Sequence, residues 1–133
     1  MGTRSLTFFH NQEKKVVVCM YGQYDGYMSG HGLELAKFIN SKKMVNGLEM
    51  DADNTVANGM ECLAALAVAH FKGDQPGNFY LYPADSILCG QEYTWRNVVG
   101  YNVYADKVVV KEHDSLLFSG SWSAFLEECR RQV

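Results

Sequence analysis

The chain predicts an α+β domain: a mainly antiparallel sheet of about five strands covered by about three helices, in the order β-β-α-α-β-β-β-α. Three observations carry this expectation. Arg4–His10 and Val16–Tyr21 are rich in β-branched and aromatic residues and are separated only by a short polar link, as in a hairpin. Residues 33–41, 59–72 and 122–131 carry apolar side chains at helical spacing. Strands and helices come in blocks and not in β-α-β alternation, which disfavours a parallel sheet.

The elements follow in order. Leu6, Phe8 and Phe9 give the first strand its apolar content, and Asn11-Gln12-Glu13-Lys14 turns the chain. Val16-Val17-Val18-Cys19-Met20-Tyr21 is a continuous apolar run, expected as a buried strand antiparallel to the first. The next eleven residues, Gly22 to Gly32, hold four glycines and should form neither a regular strand nor a regular helix. Leu33, Leu35, Ala36, Phe38 and Ile39 predict a helix ending near Ser41. Lys42–Thr55 lacks periodicity and carries the turn pair Asn46-Gly47.

Asn58 is the expected cap of a helix over Gly59–Lys72, predicted to be the most buried of the three, with Gly73 ending it. Phe79–Tyr82 is a strand stopped by Pro83, and Ala84–Gln91 a loop. Tyr93–Tyr104 alternates as a long strand, with Gly100 marking a bulge. Ala105-Asp106-Lys107 links it tightly to a strand over Val108–Lys111. Leu116-Leu117-Phe118 is a short apolar run. Ser119 or Ser121 then caps a last helix, Trp122–Arg131, whose inner face is Phe125, Leu126 and Cys129.

The 133 residues fit one domain, 1–133, large enough to bury a core without a disulfide or metal. Twelve basic and fifteen acidic side chains give a net charge of −3, and no basic run exceeds two residues. The clustered Lys and Arg that hold long nucleic acid are missing, whereas a small anion could still be held by local cations. Cys19, Cys62, Cys89 and Cys129 are scattered, without Cys-x-x-Cys or His at zinc spacing, so no metal and no cofactor is expected. No apolar run approaches a membrane span, and Met1-Gly2-Thr3-Arg4 leads straight into strand-like sequence. Reduced thiols in a cytoplasm are the simplest expectation.

The stretch from Gln23 to Gly32 is the richest in chemistry. Gln23, Tyr24, Asp25, Gly26, Tyr27, Ser29, Gly30, His31 and Gly32 lie between a buried strand and the start of a helix. Tyrosines offer rings for stacking and hydroxyls for hydrogen bonds, and glycines allow close approach of backbone to a ligand. The plain alternative is a strand-to-helix connection. Neither the P-loop nor the dinucleotide fingerprint occurs. Arg4 is a second candidate, a guanidinium able to meet a phosphate or carboxylate. Asp51 and Asp53 lack the spacing of a calcium loop. His70, on an apolar helix, is expected as a packed core residue. No nucleophile motif supports Ser29 or Ser119, and the tyrosines of residues 80–104 are expected as sheet residues.

Gly2-Thr3-Arg4-Ser5, Gln23-Tyr24-Asp25-Gly26-Tyr27 and Gly30-His31-Gly32 resemble a family of short, largely uncharacterised bacterial and phage proteins that open with GTRS and carry a Q-Y-D-G-Y-x-x-G-H-G block. The resemblance continues weakly through Val45-Asn46-Gly47, Asn58–Ala65, Tyr80–Pro83 and Leu117–Gly120. Relatives carry an arginine before the block where this chain has Gly22, so that cation is not supplied here. The resemblance brings no established activity. It implies association with phage in a bacterial host cell, and hence a role in countering host defence.

Three functional readings stand open. The first is a non-catalytic binder of a small nucleotide-like ligand, such as an immune signal that it sequesters, with Arg4, Gln23–Tyr27 and Ser29–Gly32 forming the site, in a homo-oligomer. The second is a small hydrolase or phosphodiesterase using His31 as general acid/base and Asp25 to orient it. The third is an inhibitor that binds a host defence protein through an exposed aromatic face.

Overall fold

A computed structural model describes residues 3–47, 53–83, 98–113 and 115–133. Six strands form one mixed sheet in the order β5-β2-β1-β6-β7-β8. They are β1 (Arg4–His10), β2 (Val16–Gly22), β5 (Phe79–Tyr82), β6 (Val98–Val103), β7 (Val108–Glu112) and β8 (Ser115–Gly120). All neighbours pair antiparallel except β1 and β6, which run parallel. Helices α1 (Leu33–Asn40), α2 (Gly59–Lys72) and α3 (Trp122–Arg131) complete the α+β architecture.

The hairpins follow from local chemistry. Asn11 Oδ1 accepts from the backbone N–H groups of Glu13 (2.9 Å) and Lys15 (3.0 Å), closing the β1–β2 turn. Tyr104 N donates to Lys107 O at 3.0 Å, so Ala105 and Asp106 make the β6–β7 link. A parallel β1–β6 pair cannot be a hairpin, and the chain between the two strands supplies β2, all of α1 and α2, and β5.

Alternation along the strands sorts the core into two clusters. Phe9, Tyr101, Val103, Val108 and Val110 face the helices and pack with Leu35, Leu63, Phe125 and Cys129. Leu6, Phe8, Cys19 and Val98 form a smaller cluster on the opposite face. Phe125 is fully buried at the centre of the larger cluster, and truncating such a phenylalanine costs about 3–5 kcal/mol. Trp122 pins α3 to the sheet end by donating from Nε1 to Tyr104 O (2.9 Å), and its own carbonyl accepts from Asn40 Nδ2 of α1 (3.0 Å).

Several expectations change. The aperiodic 42–55 region contributes β3 (Lys43–Val45), which pairs parallel with β4 (Val56–Asn58) in a separate two-stranded sheet. Leu116-Leu117-Phe118 lies within β8. Met28–Gly32 is helical after all, a wide π-turn in which Gly32 N donates to Tyr27 O at 3.3 Å and which runs directly into α1. Gly100 pairs regularly with Leu6 and Lys111. The register shifts instead at Phe9/His10 and Val110/Lys111.

Asn58 precedes α2 but does not cap it, because its Oδ1 accepts from Gly47 N at 2.8 Å. Ser121, not Ser119, caps α3 through Ala124 N. α2 buries one stripe, Met60, Leu63, Ala64 and Ala67, and leaves Ala65, Ala69 and His70 exposed. His70 is therefore not a core residue. It stacks on Phe38 with ring centroids 4.7 Å apart. The expected loop over Ala84–Gln91, the first half of the Tyr93–Tyr104 strand, Asp51, Cys89 and Asp114 lie outside the described residues.

Candidate functional site

The connection between β2 and α1 folds over the end of the sheet. Asp25 takes a positive φ of 58°, and its carbonyl accepts from His31 N at 2.7 Å. Two glycines are demanded by the protein's own backbone. A Cβ on Gly26 would lie 2.5 Å from Arg4 O, and one on Gly30 would lie 2.5 Å from Asp25 O. Gly26 N donates to Thr3 O (2.8 Å), and Gly26 O accepts from the buried Tyr101 hydroxyl (2.5 Å). The close approach that glycine permits at these two positions is thus chain to chain.

A cleft of ≈ 350 Å³ opens beside this loop. Tyr24, Asp25, Tyr27, Ser29, Gly30 and His31 line it from the loop, Glu34 from α1, Phe71 from α2 and Phe79 from β5. Tyr24 (54% exposed) and Tyr27 (46%) stand at the rim. Tyr27 also donates from its hydroxyl to Asp25 Oδ1 at 3.3 Å.

His31 forms the deep wall, 5% exposed. Its Nε2 lies 2.9 Å from Thr7 Oγ1, and its ring packs against Phe71 (5.1 Å), Tyr101 (5.2 Å) and Phe79 (5.5 Å). Burial among these rings penalises the imidazolium and lowers the pKa from 6.5 to about 4, so the ring is neutral at pH 7. The same desolvation raises the Tyr101 phenol well above its ordinary value. Among the described residues, the carboxylates of Asp25 and Glu34 are the acids on the cleft's outer walls, and no Lys or Arg lines it.

Six of the ten sequence-derived candidates therefore meet in one cleft. Arg4, Gln23, Gly26 and Gly32 do not line it. Arg4 shares strand parity with Leu6 and Phe8, and Thr7, which holds His31, has the opposite parity. Gln23 is exposed, and its backbone N donates to Asn78 O at 3.0 Å. Thr7, Glu34, Phe71 and Phe79 are additions that the sequence did not single out. Glu34 alone had a usable signal, because three residues after His31 on a helical path puts the two on one face.

Chemically, the cleft offers aromatic faces, carboxylate acceptors and one neutral imidazole. The Asp25 carboxylate bonds the Tyr27 hydroxyl, and the hydrogen-bond partner of the His31 ring is Thr7. A His31 proton relay oriented by Asp25 is not the arrangement seen. Among the described residues no three His, Cys, Asp or Glu side chains gather as a metal site would require, and no helix is long and apolar enough to cross a membrane. A second cleft of ≈ 310 Å³, lined by Ile39, Asn40, Lys42, Met44, Leu63, Ala105 and Trp122, contains none of the sequence-derived candidates. No protein-family model, curated protein or solved structure matches the chain.

Proposed function

We propose that the chain binds a small nucleotide-like ligand without transforming it, and that the Tyr24–His31 cleft takes the nucleoside end. The observation that carries this reading is the pairing of aromatic walls with carboxylates and a neutral imidazole in a space of ≈ 350 Å³. Base–aromatic stacking contributes about 1–3 kcal/mol per base. Carboxylates such as Asp25 and Glu34 accept hydrogen bonds from ribose hydroxyls and from base N–H groups. The same carboxylates repel phosphate, so the ligand's anionic end lies outside this cleft.

The hydrolase alternative has less support, since His31 is a neutral, buried ring held by Thr7 and the Asp25 carboxylate is engaged with Tyr27. The finer reading, a phage-encoded protein that sequesters a host immune signal in a bacterial cytoplasm as a homo-oligomer, rests on the resemblance of the Gln23–Gly32 block. Calorimetry against a panel of nucleosides and nucleotides, followed by mass spectrometry of the recovered ligand, tests the proposal. Saturable binding with the ligand returned unchanged is expected. A consumed ligand would move the assignment to the hydrolase, and absence of binding across the panel would end the nucleotide reading.

A further inference from the structure

A smaller hollow of ≈ 190 Å³ lies beside the cleft, lined by Met20, Val68, Lys72, Phe79, Tyr80 and Leu81. The two spaces share Phe79 as a common wall, and Phe71 of the first and Lys72 of the second are consecutive on α2. Among the described residues, Lys72 is the one cation lining either space. Its ammonium is held in place, donating from Nζ to Phe79 O at 2.7 Å and lying 5.2 Å from the centre of the Tyr80 ring. An ammonium has three donors, and the Phe79 carbonyl takes one.

From these observations we propose that Lys72 is the anion subsite of the same ligand, receiving the phosphate of a nucleotide whose nucleoside occupies the Tyr24–His31 cleft. The inference rests on the nucleoside assignment for the first cleft and adds the charge class and direction of the ligand. Asp25 and Glu34 drive a phosphate out of the first cleft, and on the other side of the shared Phe79 wall is the hollow that Lys72 lines. Met20, Val68 and Leu81 give the second hollow an apolar lining, and a charge-assisted ammonium–phosphate hydrogen bond is stronger than a neutral one.

The test is calorimetry at low salt with the four common ribonucleosides and their 5′-monophosphates, using wild type, Lys72→Met and Lys72→Arg. Methionine keeps the length and apolar stem of lysine, and a thermal melt of each variant establishes that it is folded. In the wild type a monophosphate is expected to bind about tenfold or more tighter than its nucleoside. Lys72→Met should remove that difference, read as the ratio of monophosphate to nucleoside affinity within the same variant, and Lys72→Arg should retain most of it. Equal affinities in the wild type, or a difference that survives Lys72→Met, would overturn the subsite and leave the nucleoside cleft standing. Monophosphates bound through Lys72 with no measurable nucleoside affinity would keep the anion subsite and overturn the nucleoside cleft. Failure of both ligand sets would overturn both.

Discussion

His31 Nε2 lies 2.9 Å from Thr7 Oγ1, a bond that spans 24 positions of sequence and fastens the deep wall of the cleft to the middle of β1. Thr7 is fully buried and His31 nearly so. Replacing Thr7 by valine keeps the shape of the side chain but strands Nε2 in a dry site. An unsatisfied buried polar atom costs about 1–3 kcal/mol, so Thr7→Val should lower stability by that amount in urea denaturation. Thr7→Ser, which keeps the hydroxyl, should recover much of the loss. Equal stability of Thr7→Val and wild type would mean that the pair does not anchor the loop.

The same burial makes stability depend on pH. His31 has a folded pKa of about 4 against 6.5 for the free side chain. Between those values the unfolded chain binds the proton and the folded chain does not. Stability from this group is therefore complete above pH 6.5, falls as pH drops toward 4, and levels off below that. The full change is on the order of 3 kcal/mol. Tyr101, 5.2 Å away, stays neutral throughout because burial raises its pKa, and the carboxylates of Asp25 and Glu34 are the charged groups that face the cleft beside His31. The readout is the difference between wild type and His31→Asn in denaturation from pH 7.5 to 4. The wild-type curve should fall more steeply, and parallel curves would refute the assignment.

Gly26 gives a purely steric prediction. Alanine there would place Cβ 2.5 Å from Arg4 O and 2.6 Å from Arg4 C, both backbone atoms that cannot swing aside. The displaced loop would also disturb the Gly26 carbonyl that accepts from Tyr101. Gly26→Ala should cost about 1–3 kcal/mol or more, as overpacking does. Gly77 is the control, since its nearest neighbour would be Tyr80 Oη at 3.7 Å, an ordinary contact. Gly77→Ala should be neutral, or stabilise by about 0.4–1 kcal/mol through the unfolded state. Thermal melts of the two variants side by side decide the point.

The contrast between these glycines marks what was legible in the sequence. The density of Gly, Tyr, Asp, Ser and His in residues 22–32 signals an unusual loop, but composition does not say whether a glycine yields to a ligand or to Arg4 O. β1, β2, β5, α1, α2 and α3 follow from apolar periodicity over four or more residues. β3 and β4 are three residues each, too short for a period to register. β8 is hidden for another reason. Val110 pairs with Phe118 and Lys111 with Leu116, leaving Leu117 as an extra residue, and a bulge erases the two-residue alternation by which a strand is recognised. The cleft wall draws Phe71 and Phe79 from 39 and 47 positions beyond the loop, and an ordinary core phenylalanine has the same local sequence. Only tertiary packing separates the two cases.

Tyr24 and Tyr27 supply the last prediction, because they separate binding from folding. Both are about half exposed at the rim. Removing rings that contribute little to the core should leave the melting temperature within a degree or two of wild type, in keeping with surface changes of about 0.5 kcal/mol or less. If a base stacks on them, each Tyr→Ala change should weaken nucleoside affinity by about 5- to 150-fold, the equivalent of about 1–3 kcal/mol. Phenylalanine at either position should preserve most of the affinity, with a smaller loss at Tyr27, where the hydroxyl that bonds Asp25 Oδ1 disappears. Calorimetry on Tyr24→Ala, Tyr27→Ala and the two phenylalanine variants reads these effects. Full affinity in both alanine variants would refute stacking on the rim rings, since Phe71 and Phe79 are the other aromatic walls of the cleft.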